Sequence, residues 1–249
     1  VYTQLQLCRG ILKPIVLYYT PLGQGGILGT FIEVLPLCTT YTLPVAFIPC
    51  RAHLQRIVKA VKTMHELGVA HLDLKSGNIL ADRWGLPYLS DFGESKLYLE
   101  EGVKDLPVGT TTSLIANARS MPLFFDEYDA CVPGDSESLR ARLPLVISSF
   151  TMPAFLPYID LLMLGIMFDE VFVEHAEKSV FPRFAVSRIR SIGRQLIYSA
   201  LRQLLTHWQS NSGILEGVRL NPTSLPGFRA HRPVSDYTLA DCMADLRSL

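Results

Sequence analysis

Two apolar runs rich in β-branched and aromatic residues open the chain, ILKPIVLYY at 11–19 and ILGTFIEVL at 27–35. The stretch TPLGQGG between them supplies turn residues and predicts a hairpin or loop-linked pair of strands. Residues 36–50 carry Pro36, Pro44 and Pro49 and read as irregular. From Arg51 the period changes. Leu54, Ile57, Val58, Val61 and Met64 recur three to four apart, which predicts an amphipathic helix that Gly68 can end. ILADRWGLPYLSDFG then reads as two short strands around a Trp-Gly turn. Residues 96–150 have weak periodicity and read as loop-rich. Helices are expected at about 158–175 and 187–209. In the second, Ile189, Ile192, Leu196, Ala200, Leu204 and Trp208 line one face. A last helix at about 237–247 groups Leu239, Met243 and Leu246. There is no internal repeat. The expected class is α+β, with a little β first and then mostly α.

Composition narrows the picture. At 249 residues the chain can bury a sizeable core, and 49% apolar against 18% charged residues describes a globular protein. Lys plus Arg and Asp plus Glu number 23 each, so no global field favours nucleic acid or an anionic membrane. Cys8, Cys38, Cys50, Cys131 and Cys242 are scattered without a CxxC, which points to reduced thiols and a cytoplasmic, intracellular setting. LLMLGIMF at 161–168 is too short to span a bilayer and reads as a buried core helix. The chain begins at Val1, not Met, and is read as a fragment.

The densest chemistry lies in VAHLDLKSGNILADRWGLPYLSDFGES, residues 69–95. Asp73 and Asn78 are five apart and Asp73 and Asp91 eighteen apart. A loop that leaves a helix, passes through a short hairpin and returns would bring all three to one point. Oxygen donors on strand ends suit Mg²⁺, which leaves its other positions to water and phosphate. Lys75 has the reach to neutralise a phosphoryl group in transfer. His65 and His71 in HELGVAH lack the i, i+4 spacing of a zincin helix, and His71 reads as a packed structural histidine.

HLDLKSGNIL followed by SDFG resembles the catalytic loop and metal-binding loop of eukaryotic protein kinases. The resemblance implies a protein-kinase-like fold, with a partial β-rich small lobe at 1–35 and a mainly α-helical large lobe at 36–249. It implies ATP and Mg²⁺ as cofactors and a protein substrate, with neither nucleic acid nor membrane as partner. Asp73 would orient the substrate hydroxyl. Lys75, in its DLKxxN context, looks like the Ser/Thr subtype, and Asn78 and Asp91 would bind the metal. TFIEVLP resembles the strand leading to the hinge, with Ile32 as gatekeeper and Glu33 to Leu35 offering backbone groups to adenine. Leu80 would floor that pocket. Asp160, five before Gly165, would hydrogen-bond the catalytic-loop backbone; read without the resemblance, it could simply cap a helix. Arg232 looks like the arginine that pairs with a glutamate closing the activation segment, with Glu127 a candidate for that glutamate.

Three features depart from the family pattern. Leu72 stands where an arginine usually clamps a phosphorylated activation segment, so a phosphate there is not expected to be required. Some 30 residues remain for small-lobe strands, and no Val-Ala-x-Lys strand follows GQGGILG, which reads as an inter-strand turn, not a phosphate loop. The span from Asp91 to Asp160 is long and implies an extended activation segment or insertion at about 94–155. Within it, Thr110 to Ser113 read as a polar loop. The arginines at 188, 190, 194 and 202 read as a solvated helix face. The alternatives are a pseudokinase scaffold with interaction partners and a small-molecule phosphotransferase, the latter disfavoured by Lys75 and Gly93.

Overall fold

The computed structural model describes residues 1, 3–6, 8–21, 29–99, 118–119, 121–125, 152–211, 219–220, 225 and 237–249. The expectations placed on Thr110 to Ser113, Glu127, Cys131 and Arg232, and on Gly23, Gly25 and Gly26, lie outside the described residues.

Strands β1 (Val16–Pro21) and β2 (Gly29–Val34) form an antiparallel pair, as the two opening runs predict. Helix α1 runs Phe47–Glu66. It starts four residues before the apolar period becomes visible, and Pro49 is tolerated there because it falls in the first turn, where its missing N–H costs nothing. Gly68 ends the helix at φ 75°, with its N–H donating to His65 O at 3.0 Å. The buried face is Cys50, Leu54, Ile57, Val58, Ala60, Val61 and Met64.

Residues 36–50 are not wholly irregular. Strand β3 (Thr39–Thr40) joins β5 (Ile79–Ala81), which pairs with β6 (Pro87–Leu89), giving the order β3-β5-β6. β5 and β6 are the two short strands foreseen around Trp84-Gly85. A second pair joins β4 (Val69–Ala70) to β7 (Lys96–Leu97), so the chain after the hairpin returns to the end of α1. The N-terminal residues pack here too. Leu12 N donates to Leu89 O at 2.7 Å, Leu89 N donates to Gly10 O at 2.8 Å, and Leu5, Cys8 and Ile11 are buried in the same core as α1.

The helical part is built on α2 (Leu156–Ile166), of which nine residues are buried, including Asp160. It continues through a π-helical stretch, Met167–Phe172, into α3 (Val173–Lys178). Helix α4 (Arg183–Asn211) crosses it, and α5 (Leu239–Ser248) packs on α1 behind a Thr238–Asp241 capping box. The α2–α4 crossing is close because glycine faces glycine. A Cβ on Gly165 would lie 2.8 Å from Gly193 O, and one on Gly193 would lie 2.6 Å from Asp169 N.

The arginines of α4 are not a plain solvated face. Arg188 pairs with Asp245 of α5, Arg190 with Glu177 of α3, and Arg194 with the buried Asp169 at 3.1 Å. Sequence spacing cannot show this, since every partner lies on another element. No helix among the described residues is long and apolar enough to cross a membrane.

Candidate active site

The site lies where α1 runs out into β4 and the loop 71–78, which is held both by bonds within itself and by hydrogen bonds to distant elements. Asp160, with no solvent exposure, accepts from His71 N and Leu72 N at 2.7 Å each, and from His65 Nε2 at 2.8 Å. Asp160 is the fifth residue of α2, so it does not cap that helix; its carboxylate organises the loop instead. Leu72 is held at φ 65°, a conformation that costs a non-glycine residue about 1–2 kcal/mol. Paired backbone donors on one carboxylate are what can sustain it.

His71 is fully buried. Its Nδ1 accepts from Asp73 N at 3.3 Å, which leaves the ring hydrogen on Nε2 to donate to Ser90 O at 3.0 Å. Its ring also packs on Phe92, centroids 4.7 Å apart. The packed structural histidine therefore ties the loop 71–78 to the segment 90–93. His65 is the residue that sequence reasoning missed: its role depends on Asp160, ninety-five positions away, and no local pattern marks it.

Three of the expected side chains meet. Asn78 Nδ2 donates to Asp73 O and to Asp73 Oδ2, both at 2.9 Å, and Lys75 Nζ reaches Asp73 Oδ2 at 2.7 Å. Asp73 and Asn78 are buried, while Lys75 is half-exposed. Asp91 arrives beside them through the hairpin. Ser90 N and Ser90 Oγ donate to Asn78 O at 2.9 and 3.0 Å, and Asp91 follows directly, exposed, at φ 61°. Of the remaining expected residues, Ile32 and Glu33 lie in β2, with backbones paired to Tyr18 and Leu17. Leu35 follows that strand half-buried, and Leu80 sits in β5 opposite Tyr88.

The donor set suits a hard cation. With both amide hydrogens of Asn78 turned to Asp73, its carbonyl Oδ1 is left out of those bonds, while the exposed Asp91 carboxylate accepts from Gly93 N at 3.4 Å through Oδ1. Among the described residues no three His, Cys, Asp or Glu side chains gather to cage a metal. One amide and one carboxylate oxygen could serve Mg²⁺ only with phosphate and water oxygens in its remaining positions.

A short antiparallel strand pair, followed by a helical lobe in which the loop 71–78 meets the segment 90–93, agrees with a eukaryotic-type protein kinase fold with a partial small lobe. Residues 37–114 match the protein kinase domain family. The chain is 31% identical over 154 residues to the serine/threonine-protein kinase vps15 of Schizosaccharomyces pombe, 60% of this chain and 8% of that protein. It is 43% identical over 61 residues to the serine/threonine-protein kinase AtPK1/AtPK6 of Arabidopsis thaliana, 24% of this chain and 13% of that one. It is 31% identical over 116 residues to a probable serine/threonine-protein kinase of Dictyostelium discoideum, 47% of this chain and 17% of that one. The chain thus spans less than a fifth of the length of these relatives. The likeness to Ser/Thr protein kinases rests on residues 37–114 and on partial alignments to these relatives.

Proposed function

We propose that this chain is a protein kinase catalytic region that transfers the γ-phosphoryl group of ATP to Ser/Thr hydroxyls of a protein substrate. The observation that carries the reading is the Asp73–Lys75–Asn78 cluster, hung on Asp160 and bonded to Ser90, the residue before Asp91. Asp73 Oδ2 is occupied by Lys75 and Asn78, so Oδ1 is the oxygen that accepts from the substrate hydroxyl and aligns it for in-line attack. Lys75, half-exposed, offsets charge on the transferring phosphoryl group. Asn78 Oδ1 and Asp91 would hold Mg²⁺, which when bound neutralises phosphate charge. Backbone groups of Glu33 to Leu35 would meet adenine beyond Ile32, with Leu80 beneath.

The test is Mg²⁺-dependent binding of a fluorescent ATP analogue, followed by γ-phosphoryl transfer to a Ser/Thr peptide array. Asp91→Asn is expected to abolish the Mg²⁺ dependence of binding, and Asp73→Asn to lower turnover about 10²–10⁴-fold with binding retained. Identical Mg²⁺ dependence in wild type and Asp91→Asn removes Asp91 from the metal role. Binding without any transfer, unchanged by Asp73→Asn, replaces this reading with that of a nucleotide-binding scaffold.

A further inference from the structure

Exposed apolar side chains carry information when they meet, not when they are scattered. Among the described residues, Val45 (72% exposed), Ile48 (68%), Val180 (97%) and Phe184 (62%) fall in two stretches far apart in sequence. The fold joins those stretches. His175 Nε2 lies 3.1 Å from Pro44 O, and the Phe47 ring packs edge-on to Phe181 and Phe184 at 5.5 and 6.4 Å between centroids. The beginnings of α1 and α4 therefore share one apolar surface, on a different part of α1 from the catalytic loop.

That surface is also electropositive. Neither helix has an acidic residue in its first turn, and Ala46 offers no capping side chain to α1. Two positive helix ends are left without a compensating carboxylate of their own. Arg51 lies over the Phe47 ring at 6.0 Å, and Arg183 opens α4 beside Phe184. Neither arginine forms an ion pair among the described residues. The carboxylates of neighbouring α3 are already matched, Glu174 by Lys178 and Glu177 by Arg190.

We propose that this surface docks an acidic, apolar peptide segment of a partner protein, with Leu, Ile or Phe side chains on Val45, Ile48, Val180 and Phe184 and flanking Asp or Glu against Arg51, Arg183 and the two helix ends. A second copy of this chain is a poor occupant, because a two-fold contact would set like charges against each other. An anionic bilayer is also a poor fit, since surface adsorption calls on clusters of roughly four to eight basic residues. The docking does not depend on phosphotransfer.

The experiment is selection of random 12-residue peptides displayed on phage against the protein, followed by fluorescence anisotropy of the enriched sequences. Enriched peptides are expected to combine net negative charge with two or more large apolar residues and to weaken as salt rises. The double variant Arg51→Glu, Arg183→Glu should bind them about tenfold or more weakly. Val180→Glu, at a position with almost no contacts to lose, should do the same while keeping the wild-type circular dichroism spectrum. The proposal is overturned if no peptides enrich, if the enriched set has no acidic bias, or if both folded variants bind as wild type does. It is equally overturned if the surface proves to mediate self-association, or cosedimentation with phosphatidylserine-rich vesicles, that the two variants abolish.

Discussion

Replacing Asp160 by alanine removes the acceptor for two backbone N–H groups, His71 and Leu72, on residues with no solvent exposure, and for the ring of His65. Each orphaned buried donor costs about 1–3 kcal/mol. The two amides alone therefore give about 2–6 kcal/mol, a large part of the roughly 5–15 kcal/mol that holds a typical domain together. Asp160→Asn is milder. It keeps one carbonyl acceptor for one of the two amides, and its NH₂ can be met by the other His65 tautomer, so about 1–3 kcal/mol is expected. Urea unfolding should rank wild type above Asn and Asn above Ala. Hydrogen exchange should rise first in peptides covering 69–75, because Leu72 at φ 65° relaxes when its amide loses its acceptor. A cost under about 1 kcal/mol for Asp160→Ala, or exchange rising no faster at 69–75 than in α4, would refute the view that this carboxylate shapes the loop.

Gly193→Ala gains helix propensity of about 1 kcal/mol but places a methyl group 2.6 Å from Asp169 N and 2.9 Å from Phe168 Cβ. The steric term should win, with a net loss of about 1–3 kcal/mol in urea titration; a gain in stability would contradict the close crossing. Leu72→Arg, which restores the residue usual in the family, buries an unpaired charge at a core position. It should cost at least about 3 kcal/mol, read as a lower unfolding midpoint, and unchanged stability would show that the position is not sealed. Burial, assisted by Arg56 and opposed by Asp82, holds the imidazole of His53 below its usual pKa, and its Nδ1 lies 3.1 Å from the Tyr41 hydroxyl. The unfolded chain then binds more protons between the lowered value and 6.5. Stability should fall as pH drops through that window, and His53→Gln should flatten the profile; an unchanged slope would remove His53 as the cause.

Much of the site could be read from local order. Asp73, Lys75 and Asn78 stand at fixed spacings in one loop, so a linear pattern was enough to group them, and a hairpin whose two strands and Trp-Gly turn are written in the residues themselves returns Ser90, the residue before Asp91, to Asn78. The apolar period of α1 and its glycine stop were legible for the same reason: 3.6-residue repeats and a left-handed C-terminal glycine are properties of consecutive residues. The first turn of α1 was not, because Ala46 to Cys50 carry neither a cap nor a period, and tertiary packing sets that start.

The chain order alone thus determined which groups exist for chemistry and roughly how far apart along the backbone they lie. Only the tertiary structure decided how they are held. His65 and Asp160 meet across ninety-five positions, Arg194 finds Asp169 across a helix crossing that two glycines permit, and the starts of α1 and α4 merge into one apolar, basic surface. Such contacts depend on which helix faces pack together. A face is chosen by the summed burial of the whole lobe, and no window of neighbouring residues contains that sum.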